Sequence, residues 1–489
     1  MKEREQLAKT LKPQWVWAIA LGSAIGWGAF VQPSVWMGGS GPLGAIIGFS
    51  IGAVLMMIIA VSYGFLIENF PVSGGEFAYA FKGFGRNHAY IAGWFLVLGY
   101  TCIVALNASA LALVLKYIFP AVAEQGYMYN IAGWDVYFVE ILIASAALIA
   151  FAYMNLRGAN LSGKIQFIFV ICMIIGVLFL FVGAVMHPET AFSNLQPLYN
   201  PDISSWSSII LIVAIAPWAF VGFDNVPQAA EEFNFSPKKG FMLIIFSLIC
   251  AGLIYVLMIT ATALAMPWQE LVDSQPKWGT GDAMSGLFGN WGILILAVAL
   301  CMGVFTGLNG FFVSSSRLLF AMGRAKIIPS VFGKLHSKYK TPYAGIIFTC
   351  IVCLITPWFG RQVLTWVVNM SSVGVTIAYI YTCVVAYKLF KWSRDSYNPI
   401  QAFSAVVAPF KKAFSMVGAL TGVVFLGLLL IPSSPAFMGV PSLIALFIWI
   451  ALGVVFYLIK GPEFRKIPKD EMEYLILGTE RNDDTEKSG

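Results

Sequence analysis

Long, nearly uncharged stretches recur along the chain, and they constrain its fold more than any other feature. Each is about 17 residues or longer, the length that a helix needs to cross the hydrocarbon core of a bilayer. They cover residues 15–38, 42–68, 88–119, 132–155, 160–186, 205–232, 240–266, 291–323, 343–359, 362–390, 413–431 and 441–460. Because a helix satisfies its own backbone hydrogen bonds in lipid, the sequence predicts an all-α integral membrane protein with twelve transmembrane helices.

The composition supports this class and argues against others. Only 11% of the residues are charged, whereas a soluble domain carries about 25%. All seven cysteines lie in apolar segments without metal or disulfide spacing, and no HExxH, paired-histidine or GxSxG motif occurs. The sequence therefore predicts neither an enzyme nor a resident metal or cofactor, and it predicts the lipid bilayer rather than nucleic acid as a partner.

The basic residues give the orientation. If residues 1–14 are cytoplasmic, every second connection is basic, and only Lys116, Lys277 and Arg361 of the 30 basic residues lie outside. Basic residues favour the cytoplasmic side of a membrane, and the N-terminal stretch lacks a cleavable leader. The sequence predicts a multi-pass protein of a plasma (bacterial inner) membrane with both termini in the cytoplasm.

Three regions outside the apolar segments carry further expectations. Residues 266–290 form the longest outer loop and are expected to fold as a short helical lid over a cavity mouth. The tail after Lys460 alternates charge without an apolar face, so it is expected to be solvated and partly disordered. No strand pattern competes with helix anywhere in the chain.

Three glycines interrupt the first apolar segment. Gly22, Gly26 and Gly28 lie in an apolar run between Trp15 and Trp36. Each glycine weakens a helix by about 1 kcal/mol, and non-helical backbone survives at membrane depth only where protein or a water-filled cavity surrounds it. The pattern favours either a broken helix that binds a ligand or a small-residue face that packs on a neighbouring helix.

A second interruption is predicted in the sixth segment. It contains Pro217, Gly222, Asp224 and Pro227; proline removes a helical hydrogen bond, and an acid at this depth needs a partner. Breaks five helices apart are typical of inverted repeats that meet at a substrate site. Free N–H groups at such breaks attract an anion and free carbonyls attract a cation, so a zwitterion fits both.

Four motifs give the chain a specific resemblance. They are residues 22–30 (GSAIGWGAF), 71–79 (PVSGGEFAY), 219–224 (AFVGFD) followed by 229–232 (AAEE), and 316–322 (SRLLFAM). In this order and at these depths they resemble the amino acid/polyamine/organocation (APC) transporter superfamily over essentially the whole chain. The resemblance implies a five-plus-five inverted repeat (LeuT-like) with helices 1 and 6 broken, followed by two extra C-terminal helices. The implied divisions are a cytoplasmic N terminus (1–14), a first repeat (15–186), a second repeat (205–390), the last two helices (413–460) and a cytoplasmic tail (461–489).

The resemblance also implies a substrate site. Backbone N–H groups at the first break are expected to hold the substrate carboxylate, and carbonyl groups at both breaks are expected to accept from its amine. The implied set is Ala24, Ile25, Gly26, Trp27, Gly28, Trp218, Phe220, Val221 and Asp224. Members of the superfamily usually place a small residue where Trp27 stands, so this indole predicts either a smaller pocket or a side chain turned towards a neighbouring helix. Trp218 and Phe220 have core packing as an alternative role.

The coupling ion is a separate question. A lysine that some proton-coupled members carry in the fifth helix corresponds here to Met173, which does not titrate. A sodium ion would find oxygen ligands if carbonyls at Gly22 and Ile25 faced the hydroxyls of Ser314 and Ser315. The serines have small-residue packing as their alternative.

Two acids are predicted to lie at membrane depth, Asp224 and Glu140, and they are the candidates for carrying a proton. Asp224 has a second interpretation, which is favoured, as the cap of the half-helix that follows it. Charged residues near the predicted cytoplasmic face form either an inner gate, as the resemblance implies, or ordinary interfacial anchors. They are Glu231 and Glu232 with Lys238 and Lys239, Glu76 with Arg86, and Arg317 with Arg324.

These observations predict a secondary active transporter, either permease or exchanger, for small or neutral amino acids that works by alternating access. The alternative is a polyamine or ethanolamine transporter, because Asp224 and Glu140 suit an amine, although the glycine-rich cradle speaks against it. A channel would instead use rings of like residues from an oligomer. The choice of amino acid, the coupling ion (H⁺ or Na⁺) and the oligomeric state stay open.

Overall fold

The computed structural model describes residues 4–131, 134–275, 277–392, 402–434 and 436–478. Most of this part of the chain is helical. The helices are α1 (Pro13–Ile25), α2 (Gly28–Val31), α3 (Pro33–Asn69), α4 (Gly75–Phe84), α5 (Arg86–Ile118), α6 (Pro120–Ala123), α7 (Phe138–Leu156), α8 (Ala159–Met186), α9 (Ser205–Ala214), α10 (Ala216–Ala219), α11 (Asn225–Gln228), α12 (Lys238–Ala265), α13 (Trp268–Asp273), α14 (Gly279–Phe288), α15 (Asn290–Arg324), α16 (Tyr343–Cys353), α17 (Gly360–Trp392), α18 (Ala402–Leu430), α19 (Val440–Lys466) and α20 (Lys469–Leu477). Short 3-10 helices cover Phe192–Leu195, Ala230–Glu232, Ser330–Gly333 and Thr356–Phe359.

Nine helices within the described residues are long and apolar enough to cross a membrane. They are α3, α5, α7, α8, α12, α15, α17, α18 and α19. Two shorter apolar stretches, Ser205–Ala214 and Tyr343–Phe359, coincide with the predicted sixth and ninth segments. The predicted all-α membrane class is therefore confirmed. Helix α1 has only 13 residues because the first segment is interrupted after Ile25.

The boundary between the first two predicted segments is a kink rather than a loop. Helix α3 contains the end of the first predicted segment and the whole of the second. Gly41 inside this helix has a φ of 68°. Pro42 follows, and it has no N–H to donate to the preceding turn. A side chain at position 41 would meet the backbone of Tyr199, whose Cα lies 2.5 Å from an ideal Cβ. Glycine is therefore required here both for its φ and for the close approach of the 196–201 connection.

The expectation that no strand occurs is wrong. Strands β1 (Tyr127–Ile131) and β2 (Trp134–Tyr137) form an antiparallel hairpin between α6 and α7. Their pairing sets Tyr127 opposite Tyr137, and these rings meet edge to face at 5.9 Å. Neither strand alternates apolar and polar residues strictly, and strict alternation is the pattern that identifies a half-buried strand. As a result α7 begins at Phe138 rather than at residue 132.

The outer loop folds as helices, as predicted. Helices α13 and α14 occupy most of residues 268–288. The Trp268 indole donates to the carbonyl of Pro197 at 2.9 Å, and the Trp278 indole donates to the carbonyl of Phe30 at 2.9 Å. The second bond ties the start of α14 to α2, directly after the interruption of the first segment.

The expected solvated tail is wrong for residues 461–478, and residues 479–489 lie outside the described part. Helix α20 buries Met472, Ile476 and Leu477 against the rest of the protein. The Arg4 guanidinium donates to the carbonyl of Leu475 at 3.3 Å, so the N-terminal stretch and α20 lie side by side. Three apolar positions within nine residues are too few for a reliable periodic signal. We call the surface formed by residues 4–12, Ala230–Glu232, the end of α15 and α20 the terminal face.

Candidate substrate site

The first segment opens at Gly26 and Trp27; we call this opening, together with residues 23–25 at the end of α1, the first break. The Gly26 N–H makes the last helical bond of α1, to Gly22 O at 3.1 Å, and Gly26 has a φ of 48°. Helix α2 then starts at Gly28. Among the described residues, the N–H groups of Trp27, Gly28 and Ala29 form no hydrogen bond. The predicted interruption thus exposes three adjacent backbone donors.

The sixth segment opens between α10 and α11, at residues 220–224; we call these residues, together with Ala219 at the end of α10, the second break. Gly222 has a φ of 134°, and an ideal Cβ on it would lie 2.5 Å from the backbone nitrogen of Ala24. The two breaks are therefore in direct contact, backbone against backbone. Within the described residues, the Val221 carbonyl receives no hydrogen bond. Prolines 217 and 227 lie in the first turns of α10 and α11, where the missing N–H costs little.

One side chain from α12 joins the two breaks. The Tyr255 hydroxyl lies 2.8 Å from Ala24 O and 2.7 Å from Ala219 O. A hydroxyl has one hydrogen, so it saturates only one of these two acceptors at a time. Ala24 O, predicted as an acceptor for a substrate amine, is thus shared with Tyr255. The sequence offered no sign of this contact, because an isolated tyrosine in an apolar helix is not distinctive.

The aromatic residues predicted to line the site separate into two groups. Trp27 and Trp218 are half-buried, and their rings meet edge to face at 6.0 Å. An ideal Cβ on Gly28 would lie 3.3 Å from Trp218 Cη2, so this indole lies over the first break. Phe220 is fully buried and packs against Tyr255 at 5.6 Å and Phe49 at 6.4 Å. It belongs to the core, which was its alternative role.

A polar side chain that the sequence analysis missed faces the first break. Asn107 on α5 is 2% exposed, and its amide nitrogen donates to Ile103 O at 2.9 Å. Its oxygen has no partner among the described residues and lies 3.4 Å from an ideal Cβ on Gly26. The signal was present, since an amide in the middle of an apolar segment needs a partner.

Asp224 stabilises the second break through hydrogen bonds and does not cap α11. Its carboxylate accepts from the Gly222 N–H at 2.7 Å and from the Tyr100 hydroxyl at 2.8 Å. No side-chain capping bond to α11 forms, so the favoured interpretation of this residue is wrong. The carboxylate turns back towards Gly222 because that N–H is freed by the left-handed backbone there.

The hydrogen bonds of the described residues do not bring together the four groups of the predicted sodium site. The Gly22 carbonyl accepts from Thr306 at 3.0 Å. Ser314 donates to Asn225 at 2.5 Å, two helical turns further along α15, and Ser315 bonds within α15 and to Thr349. Thr306 is thus the residue of α15 that contacts Gly22, and the sequence did not predict it. No bond is formed by the Ile25 carbonyl within the described residues.

A buried amide network fills the region beside Gly22. The Gln166 amide nitrogen on α8 donates to Ala18 O at 3.2 Å and to Thr306 O at 3.1 Å. Its oxygen accepts from Asn309 at 2.8 Å. Met173 is buried without a polar contact. Neutral hydrogen bonds therefore connect α1, α8 and α15 here.

Glu140 lies at the start of α7 and not eight residues inside a helix. It lies in the first turn of α7, next to the hairpin, and its carboxylate is 3.7 Å from the ammonium group of Lys116. The sequence analysis placed it eight residues inside a span because the strand β2 was counted as helix.

The charged residues of the terminal face pair differently from the prediction. Arg317 contacts Glu232 through two bonds of 2.6 and 3.1 Å, and Arg324 contacts Glu231 through two bonds of 2.8 and 2.9 Å. Arg4 adds a third cation, 3.4 Å from Glu231. All five side chains are buried. Burial and the neighbouring Arg324 lower the pKa of Arg4, against the opposing effect of Glu231.

The other predicted pairs do not form. Lys238 is exposed and lies 3.4 Å from Glu68. Arg86 donates to the carbonyl groups of Phe464 and Ile467 at the end of α19. Glu76 accepts from neutral donors instead. Two-pronged arginine–carboxylate contacts close the terminal face, which is the geometry that arginine favours in buried pairs.

These features define a multi-pass, mostly helical membrane protein in which two helix breaks meet in the protein interior. The chain matches the family described as "Amino acid permease" over residues 13–459, and it belongs to that family. The APC resemblance drawn from four motifs is thereby confirmed, and the family is one of permeases rather than enzymes.

Three relatives from Bacillus subtilis (strain 168) illustrate the range. The chain is 26% identical to a methylthioribose transporter over 394 residues, covering 76% of this chain and 79% of the relative. It is 28% identical to the glutamate/serine transporter AimA over 420 residues, covering 80% and 73%. It is 24% identical to the branched-chain amino acid permease BcaP over 468 residues, covering 92% of each.

Proposed function

We propose that this protein is a secondary active transporter of small or neutral amino acids that works by alternating access around the two breaks. The observation that carries this proposal is the row of unpaired N–H groups at Trp27, Gly28 and Ala29 next to unpaired acceptors. The acceptors are Asn107 Oδ1 and the Val221 carbonyl. Relatives named as a glutamate/serine transporter and a branched-chain amino acid permease support amino acid transport in general.

Such a site suits a zwitterion for an electrostatic reason. Unpaired N–H groups at the start of a helical turn are donors with a positive end, which favours a carboxylate. Carbonyl and amide oxygens favour an ammonium group, which carries three donors and no acceptor. A ligand with both groups on one carbon satisfies both sets in a space where water is largely excluded.

The indoles set the size of the substrate. Trp218 lies over Gly28, and Trp27 packs beside it with Leu106 and Val367 in a small apolar cluster. They occupy room that a bulky substrate side chain would need. Because both indoles are half-buried rather than locked in the core, they are the side chains that would contact the substrate.

The architecture proposed for transport has twelve transmembrane segments in a five-plus-five inverted repeat, with the terminal face in the cytoplasm. The segments that are broken, one and six, are five apart, as inverted repeats require. The ion pairs of Arg317 with Glu232 and of Arg324 with Glu231 close the terminal face and would separate when the site opens to the cytoplasm. The protein would reside in the plasma (inner) membrane.

Counterflow in reconstituted vesicles tests this function without any ion gradient. Vesicles loaded with unlabelled amino acid should take up the labelled amino acid, and alanine-sized zwitterions should compete. Ethanolamine and putrescine test the alternative of an amine carrier, and methylthioribose tests the substrate named for one relative. Competition by amines or methylthioribose alone would contradict the proposal.

A glycine variant tests the location of the site. Gly28→Ala adds a methyl group 3.3 Å from Trp218 Cη2 and should raise the KM for counterflow, because it narrows the space over the break. Gly286→Ala is the matched control, since an ideal Cβ there has no atom within 4 Å. Equal KM values in the two variants would place the substrate elsewhere.

A further inference from the structure

Two carboxylates are buried close to the second break and contact only neutral groups. Glu76 on α4 accepts from the Tyr63 hydroxyl at 2.9 Å and from the Gln228 amide at 2.6 Å. Asp224 accepts from Tyr100 and from the Gly222 N–H. Both acids are 0% exposed. None of the ion pairs of the described residues involves either one.

The two acids belong to one cluster. The ring of Tyr63 packs against Phe223, the neighbour of Asp224, at 5.2 Å, and against Tyr379 at 6.1 Å. Tyr379 also packs against Phe223, with ring centroids 5.4 Å apart. It is fully buried and has no hydrogen-bond partner among the described residues. The titratable groups around the acids are Tyr63 from α3, Tyr79 from α4, Tyr100 from α5 and Tyr379 from α17. Arg317 of α15 is held by Glu232.

Two buried negative charges without a cation are costly, because burial disfavours the charged form and like charges repel. Such a pair lowers its energy by binding a proton, and the proton then belongs to the pair. We propose that Glu76, paired with Asp224, is a proton-binding site that couples proton movement to amino acid transport.

The hydrogen bonds indicate which acid takes the proton. Asp224 accepts from a backbone N–H, a donor that cannot reverse, so its surroundings suit a carboxylate. Glu76 faces a hydroxyl, which also accepts, and an amide that offers an oxygen after a flip. The Gln228 oxygen has no partner among the described residues. Protonated Glu76 therefore has acceptors available, and it returns to a carboxylate by releasing H⁺.

The terminal face lies next to this site and contacts the segments that carry it. Ser73, three residues before Glu76, donates through its N–H to Glu231 at 3.1 Å. Gln228, which contacts Glu76, lies just before Ala230–Glu232. Separation of the Arg317–Glu232 and Arg324–Glu231 pairs moves both segments that enclose Glu76. The proton is held while the terminal face is closed and released when it opens.

This inference rests on the proposed function, and two measurements in the same vesicles separate their failures. Counterflow reports amino acid exchange without a proton gradient. A pH dye trapped in the lumen reports proton entry when substrate is added outside, with the membrane potential clamped by potassium and valinomycin. Wild-type protein should acidify the lumen. Counterflow without acidification, or uptake that requires Na⁺ instead, would overturn the inference and leave the proposed function intact. Absence of counterflow would overturn both.

Variants locate the site. Glu76→Gln should abolish acidification while counterflow continues, because the glutamine is permanently neutral. Glu140→Gln, which changes the acid beside Lys116, should acidify like the wild type. Loss of acidification in Glu140→Gln, with acidification retained in Glu76→Gln, would overturn the inference. Tyr63→Phe keeps the ring but removes a donor to Glu76, so the pH dependence of net uptake should move to higher pH. An unchanged profile in this milder variant would also contradict the inference, even if Glu76→Gln did not fold.

Discussion

Gly222→Ala is the change that most sharply tests the contact between the two breaks. An ideal Cβ at this position would lie 2.5 Å from the nitrogen of Ala24 and 2.7 Å from the carbonyl carbon and Cβ of Ser23. Backbone atoms of α1 cannot rotate away as a side chain would. Forcing extra volume into a packed core costs about 1–3 kcal/mol, and a non-glycine residue at a φ of 134° adds about 1–3 kcal/mol of strain.

Gly158→Ala separates these two contributions. Gly158 has a φ of 126°, close to that of Gly222, but an ideal Cβ there has no atom within 4 Å. Both variants carry the backbone strain, and only Gly222→Ala carries the clash. Thermal unfolding of the purified protein in detergent and counterflow in vesicles should show a larger loss of stability and of transport for Gly222→Ala. Equal behaviour of the two variants would refute the direct contact of the breaks.

Three further variants test other contacts. Tyr255→Phe removes one hydroxyl between Ala24 O and Ala219 O and should lower stability by about 0.5–1.5 kcal/mol; a melting temperature equal to wild type would show that the hydroxyl does not join the breaks. Arg317→Gln leaves Glu232 buried without its cation, which costs about 3–5 kcal/mol, and adding Glu232→Gln should restore part of the loss; no restoration would argue against the pair. Met472→Ala should destabilise the packing of α20 on the rest of the protein by about 2–5 kcal/mol. Hydrogen exchange in residues 469–477 should then be faster, and unchanged exchange would contradict the docking of α20.

The sequence predicted the features that depend on composition over long windows. Hydrophobic length identified the membrane class, and the glycines and prolines marked both places where the helices open. These signals work because a bilayer leaves few ways to satisfy the backbone. The match of residues 13–459 to the amino acid permease family agrees with them.

The features that sequence reasoning missed depend on which side chains meet. Asp224 bonds backwards to Gly222 rather than forwards to α11, and Glu231 selects arginines from α15 and the N terminus rather than the nearby lysines. Thr306, not Ser314, lies next to Gly22 because the crossing of α1 and α15 sets the register. Partners far apart in the chain cannot be read from spacing. The helix α20 was missed because nine residues are too few to show a helical period, and the hairpin because neither strand alternates strictly.

The most direct test of the central claim is equilibrium binding of a small amino acid to the purified protein, compared with its methyl ester and with the corresponding amine. The claim is that the free N–H groups at Trp27, Gly28 and Ala29 hold a carboxylate. Binding of the amino acid, with the ester and the amine both much weaker, is the predicted result. Equal binding of all three, or tighter binding of the amine, would contradict a carboxylate site at the first break.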